Sequence, residues 1–144
     1  MKTIVVDASV VAKWYIAEED SEKAVQIRDL HSAGKVSLSS PSLVIYEVGN
    51  ALTRHPSFRS QDAARALQSL LDLELKLRSF ESNLLGRTLQ IARELGTTFY
   101  DAAYVALAND ATLVTADKDL HKKIKRYPIK VQLLSETKPE ELAA

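Results

Sequence analysis

Four carboxylates stand out by their surroundings. Asp7 follows directly on Ile4-Val5-Val6, and Glu47 lies in Leu-Val-Ile-Tyr-Glu-Val, where every neighbour from 43 to 48 is apolar. Asp101 opens Asp-Ala-Ala-Tyr-Val-Ala-Leu-Ala, and Asp117 follows Leu-Val-Thr-Ala with Asp119 two residues on. A charge held among apolar side chains must find a partner, take up a proton or bind a cation. Carboxylates that meet at one place repel each other unless a hard divalent cation neutralises them. The chain has no cysteine, and its histidines (His31, His55, His121) fall in polar, loop-like or basic stretches. Oxygen ligands remain, which suit Mg²⁺ or Mn²⁺. A site of that kind activates water and stabilises the attacking and leaving oxygens in phosphodiester hydrolysis.

Each acid also has an ordinary reading. Asp7 and Asp117 stand where a strand ends and a helix could begin, the position of an N-cap. Thr98 and Asp101 have the spacing of a capping box, with Asp in place of Glu, and an acid in a first helical turn suits the helix dipole. Glu47 has Arg54 as a possible ion-pair partner, or a place on a narrow polar stripe with Leu43, Asn50 and Ala51. Asp119 reads as an exposed residue of the helix that follows Asp117. Cap and ligand are compatible roles, because a helix N-terminus holds a side chain rigidly. What favours a shared site is the set: two acids at strand ends, and two on helices able to reach them.

The elements that must position these acids alternate along the chain. A strand ends at Asp7; further strands are predicted at 36–38, 75–77, 112–115 and 129–133, with helices at 8–16, 21–31, 43–52, 60–70, 82–95, 98–109 and 117–124. Ser40 is expected to cap the third of these helices with Pro41 in its first turn, and Ser60 to cap the fourth. Gly34 and Gly96 are stop signals. Strands alternating with helices imply a parallel sheet with helices on both faces and right-handed connections, an α/β sandwich. In such sheets, chemistry gathers beyond the carboxyl ends of the strands.

Composition narrows the class. The 144 residues suffice for one domain, 1–144, with a core over 2–134 and a polar, loosely held tail over 135–144. Apolar residues make up 46% and charged residues 26%, as in ordinary globular proteins. No apolar run reaches the ~18 residues of a membrane span, and the apolar start is too short for a signal peptide; a cytoplasmic home is the expectation. The 19 basic and 19 acidic residues balance, so the totals do not describe a general nucleic-acid binder. The distribution is uneven: Glu18, Glu19, Asp20 and Glu22 gather early, and Lys118, Lys122, Lys123, Lys125, Arg126 and Lys130 gather late. Both read as solvated faces, and the late one also as a rim that contacts phosphates. The four glycines form neither GxGxxG nor GxxxxGK[ST], which argues against a dinucleotide fold or a P-loop. Without a GxSxG elbow, a serine triad has no support.

Four blocks carry a family resemblance: Ile-Val-Val-Asp-Ala-Ser-Val (4–10), Ser-Leu-Val-Ile-Tyr-Glu-Val-Gly-Asn-Ala-Leu (42–52), Tyr-Asp-Ala-Ala-Tyr-Val-Ala-Leu-Ala (100–108) and Leu-Val-Thr-Ala-Asp-Lys-Asp-Leu (113–120). In their order and approximate spacing the chain resembles PIN-domain ribonucleases, and in size the toxins of VapBC-type toxin–antitoxin modules. The resemblance implies a five-stranded parallel sheet of order 3-2-1-4-5, with the strand before Asp7 at its centre. It also implies a Mg²⁺- or Mn²⁺-dependent endoribonuclease that leaves a 5′-phosphate and a 3′-hydroxyl. Asp7, Glu47, Asp101 and Asp117 match the family's acidic quartet, with Asp119 as an outer or substitute ligand. Ser9 and Thr115 match hydroxyl positions that orient those acids or a water. A homodimer and a small antitoxin that covers the site are implied as partners. Lys118, Lys122, Lys123 and Arg126 are the candidate RNA-backbone contacts. Two other classes compete. A receiver-like phosphoacceptor domain also gathers acids at strand ends, but normally shows two adjacent acids after its first strand, which Asp7-Ala8-Ser9 lacks. A catalytically inactive PIN interaction module has no need of a complete acidic set.

Overall fold

The computed structural model describes residues 1–144. Ile4, Val5 and Val6 are the buried end of strand β1 (Lys2–Val6), and none of them exposes more than 2% of its surface. A strand of three β-branched residues buried on both faces needs pairing on both edges and helices over both faces. β1 has both. β2 (Val36–Pro41) and β4 (Thr112–Thr115) flank it, and β3 (Lys76–Arg78) and β5 (Lys130–Leu133) lie outside them. The five-stranded sheet is parallel throughout, in the order β3-β2-β1-β4-β5 that the resemblance implies. The helices are α1 (Ala8–Val11), α2 (Ser21–Ser32), α3 (Leu43–Arg54), α4 (Ser60–Asp72), α5 (Leu85–Leu95), α6 (Phe99–Leu107), α7 (Lys118–Ile124) and α8 (Pro139–Leu142). No helix is long and apolar enough to cross a membrane.

Parallel pairing keeps the carboxyl ends of neighbouring strands level. Val6 lies opposite Val114, so Asp7 falls beside Thr115, and the Asp7 amide donates to the Val114 carbonyl at 3.4 Å. Two strand ends thus deliver Asp7 and, two residues beyond Thr115, Asp117 to one edge. One apolar cluster of 29 buried residues supports that edge, drawing on every strand except the outer two.

Four expectations are corrected. Ser40 caps no helix: β2 runs on through Ser39, Ser40 and Pro41, and Ser42 stands before α3 without a side-chain capping bond. The serines are tolerated in a buried strand because neighbouring strands satisfy their hydroxyls, Ser39 donating to the Lys76 carbonyl at 3.0 Å and Ser40 to the Val6 carbonyl at 2.5 Å. Ser60 is the first helical residue of α4, not its cap; Asp62 reaches back instead to accept from the Arg59 amide at 3.0 Å. The first predicted helix stops at Val11 and tightens into a 3-10 turn over Ala12–Trp14, which lets the Trp14 indole donate to the Ala24 carbonyl at 2.8 Å.

The tail is the fourth correction. Thr137, Pro139 and Leu142 are buried, and Lys23 donates to the Ser135 carbonyl at 2.6 Å. Its polar composition hides an apolar spacing that docks α8 against the body of the fold. Leu142→Ala is expected to lower the unfolding free energy by about 2 kcal/mol or more, as for other buried leucines. A loss below about 0.5 kcal/mol in urea denaturation, the range of ordinary surface substitutions, contradicts a docked tail.

Candidate active site

Asp7 is 6% exposed, and both its carboxylate oxygens accept hydrogen bonds. Its Oδ1 accepts from the Ser9 hydroxyl at 2.5 Å and the Val10 amide at 3.3 Å; its Oδ2 accepts from the Thr115 hydroxyl at 2.5 Å. Asp7 is therefore the N-cap of α1 as well as the acid at the strand end, and the two readings coexist. Thr115 Oγ1 also accepts from the Asp117 amide at 3.0 Å, and Ser9 Oγ from the Ala116 amide at 2.9 Å. Ser9 and Thr115 thus tie the ends of β1 and β4 together around one carboxylate.

Burial pushes the Asp7 carboxyl up from its usual 3.8 to about 6, against the lowering effect of Ser9, Thr115 and Val10, with the Asp101 charge adding to the rise. Glu47 is half-buried on α3, beside the buried stripe of Val44, Val48 and Leu52. Burial raises its carboxyl too; the Tyr104 hydroxyl opposes this and Asp101 adds to it. Arg54 makes no ion pair, so the cation partner suggested for Glu47 is absent. The partner is Tyr104, whose Oη donates to Glu47 Oε1 at 2.6 Å.

Asp101 sits in the first turn of α6. Thr98 caps that helix by accepting from the Asp101 amide at 3.0 Å, but the Asp101 carboxylate does not close the box. Its Oδ2 accepts from the Thr97 hydroxyl at 3.1 Å instead. Asp101 lies near enough to Asp7 and to Glu47 for its charge to raise both of their carboxyls. Asp117 joins them through Thr115 and is exposed; its Oδ1 caps α7 by accepting from the Asp119 and Leu120 amides at 3.0 and 3.1 Å. Asp119 is also exposed and lines a shallow groove with Lys122, Lys123, Lys125 and Arg126.

As they stand, no three of these side chains are near enough to hold an ion between them. The donor set nevertheless fits a hard divalent cation. All the donors are oxygen, and Glu47 Oε2 and Asp101 Oδ1 accept no hydrogen bond within the chain. Asp7 Oδ2 uses one of its two lone-pair positions, on Thr115.

The basic residues divide. Lys123 donates to the Gly96 carbonyl at 3.0 Å and closes the end of α5, so it is spent on structure. Lys130 opens β5 and lines a hollow with Met1, Lys2 and Asp110, at the opposite edge of the sheet from the acids. Lys122, Lys125 and Arg126 remain as a free basic rim. Sequence reasoning missed Tyr104, which looks like one more core aromatic in Asp-Ala-Ala-Tyr. Its signal was the i, i+3 spacing from Asp101, which puts both on one face of α6. An apolar hollow of about 210 Å³ adjoins the site, lined by Leu43, Phe80, Phe99 and Tyr100 among others. His31 lies elsewhere: its ring accepts from the Leu38 amide at 3.1 Å and bonds the Leu73 carbonyl at 2.9 Å, tying α2 to β2.

The PIN domain family model matches residues 4–126 of this chain. Ribonuclease VapC3 of Pyrobaculum aerophilum is 36% identical over 131 residues, spanning 83% of this chain and 93% of that protein. Exonuclease VapC9 of the same organism is 40% identical over 85 residues, 58% of this chain and 64% of its own length. Among solved structures, PAE2754 from Pyrobaculum aerophilum superposes with a TM-score of 0.58 at 31% identity, covering 85% of this chain and 86% of that one. A domain of a functionally unknown protein from Methanocaldococcus jannaschii, at 18% identity and a TM-score of 0.55, shares the fold over 96% of this chain and 94% of its own.

The raised Asp7 carboxyl has a consequence for stability. Between about pH 4 and pH 6 the folded chain keeps a proton on Asp7 that the unfolded chain has released, so this group's contribution falls as pH rises through that window. The shift corresponds to roughly 3 kcal/mol. In EDTA, Asp7→Asn is expected to gain about 2–3 kcal/mol relative to wild type when urea denaturation is moved from pH 4 to pH 7.5. Parallel pH profiles for the two proteins contradict the buried, raised carboxyl.

Proposed function

The chain belongs to the PIN-domain family, and we propose that it is a divalent-metal-dependent endoribonuclease, the toxin of a type II toxin–antitoxin pair. The observation that supports this best is the partly desolvated trio Asp7, Glu47 and Asp101, all oxygen and without a basic counter-charge. Relatives named as VapC ribonuclease and exonuclease support the reaction class.

In the proposed mechanism Asp7 and Asp101 hold the cation, with Glu47 binding directly or through water and Asp117 or Asp119 completing the set. A bound Mg²⁺ or Mn²⁺ supplies charge neutralisation at the phosphodiester and a more acidic water. Ser9 and Thr115 keep the Asp7 carboxylate in one orientation, so that its remaining lone pair faces the site. Glu47 Oε2 takes the proton from the attacking water; its raised carboxyl makes it a better base near neutral pH than an ordinary glutamate. Asp117 orients the edge through its amide bond to Thr115. The products are a 5′-phosphate and a 3′-hydroxyl.

Lys122, Lys125 and Arg126 are proposed to contact the RNA backbone, with Lys118 beside them and Lys123 holding the rim in place. Reversing the charge of the first three should weaken RNA binding and flatten its salt dependence; unchanged affinity and slope contradict the assignment.

A homodimer is the proposed assembly. Its support is the resemblance to the toxin family; Tyr46, 76% exposed, and Leu89 are apolar side chains available to such a contact. Sedimentation equilibrium should show a dimer that Tyr46→Glu with Leu89→Glu converts to monomer; a wild-type monomer contradicts it. The small antitoxin proposed to cover the site is to be sought in the neighbouring reading frame, and failure of its product to co-purify contradicts that pairing.

Asp7→Asn and Asp101→Asn are each expected to reduce Mg²⁺-dependent RNA cleavage by at least about 100-fold, as loss of a ligand to a catalytic ion does. EDTA should have the same effect on wild type. A circular RNA substrate separates the endonuclease reading from the exonuclease activity that one relative's name carries. Cleaved circles support an internal cut, and intact circles beside degraded linear RNA contradict it. Full activity in either variant overturns the assignment.

A further inference from the structure

The Tyr104 phenol is a polar group of the site that the proposed reaction leaves without a part. Tyr104 belongs to the core, only 1% exposed, and its hydroxyl meets Glu47 Oε1 at 2.6 Å. That length is typical of an O–H donor on a carboxylate. Glu47 is only partly buried, so the phenol is not the sole hydrogen-bond donor within its reach: water can meet the rest of its carboxylate. Nor is the bond an accident of neighbouring turns, since 57 residues separate the partners and two different helices carry them.

We propose that Tyr104 is a positioning residue that pins Glu47 through Oε1 and leaves Oε2 as the oxygen presented to the cation and the attacking water. The inference rests on the metal-dependent reading of the site. A free glutamate on a helix surface samples several rotamers and can offer either oxygen or both. With one lone pair of Oε1 bonded to the phenol, the side chain is held in one orientation and Oε2 is the oxygen left without a hydrogen bond. A phenol is protonated near neutral pH in any case, so its hydroxyl donates to Glu47 Oε1. Because Asp101 and Tyr104 share one face of α6, the helix that carries one acid also sets the geometry of another. Tyr104 thereby couples the placement of Glu47 to that of Asp101.

The test measures Mn²⁺ binding by electron paramagnetic resonance on wild type, Tyr104→Phe, Glu47→Ala and the double variant, with thermal unfolding followed alongside. Phenylalanine fills the same core volume, so the fold and its unfolding midpoint in EDTA should hold. Tyr104→Phe should weaken Mn²⁺ binding about 10-fold, the scale of losing a group that orients a ligand. In the Glu47→Ala background the same change should have no further effect. Equal Mn²⁺ affinity in wild type and Tyr104→Phe overturns the inference alone. An undiminished loss in the Glu47→Ala background also overturns it, because Tyr104 then acts other than through Glu47. Wild-type protein that binds no Mn²⁺ overturns the metal reading itself.

Discussion

A carboxylate buried at the end of a central strand is unfavourable unless something meets its charge, and much of this molecule is arranged around that one at Asp7. The strand before it is apolar on both faces, so the chain cannot turn Asp7 outward without exposing Val5 or Val6. Parallel pairing with β4 sets Thr115 beside it, and the turn into α1 sets Ser9 on its other oxygen. These hydroxyls fix the side chain but do not remove the charge problem, which is why burial still dominates and carries the carboxyl up to about 6. Hydrogen bonds from neutral donors moderate desolvation; only an opposite charge or a proton ends it.

Two further acids make the problem larger. Glu47 and Asp101 come from helices on different parts of the chain, yet Asp101 raises the carboxyls of both Asp7 and Glu47. No lysine or arginine is paired with any of the three. Stability selected for its own sake would have placed one there, or replaced an acid. Sites that keep uncompensated charge are commonly functional, and a divalent cation is the partner that this donor set fits. The raised carboxyls of Asp7 and Glu47 and the proposed nuclease activity therefore have one physical origin.

The sheet was readable in the sequence because Ile4-Val5-Val6 and Leu113-Val114 are local signals of buried parallel strands, and the acids were readable because each interrupts an apolar stretch. Ser39-Ser40-Pro41 was misread for a physical reason. Serine followed by proline is a helix-start pattern locally, whereas here the hydroxyls are satisfied by carbonyls of strands far away in the chain. The same holds for Tyr104, whose partner lies 57 residues away. Lys123 and Lys130 looked like members of one basic cluster, but helix α7 ties the first to Gly96 and strand β5 carries the second to the other edge. Proximity along the chain predicts a shared surface only while both residues stay in one element. The docked tail, with Thr137, Pro139 and Leu142 buried, makes the same point for composition.

Binding of one hard cation by Asp7 and Asp101, with Glu47 beside it, is what the proposed nuclease requires of this edge. Crystals of the wild-type protein soaked in Mn²⁺, measured near the manganese absorption edge, test it without any assay of activity. The account predicts an anomalous peak within bonding distance of Asp7 and Asp101 oxygens, with Glu47 Oε2 turned toward it or toward its water. Well-ordered data without a peak at that edge, or with the ion held only by the exposed Asp117 and Asp119, contradict it.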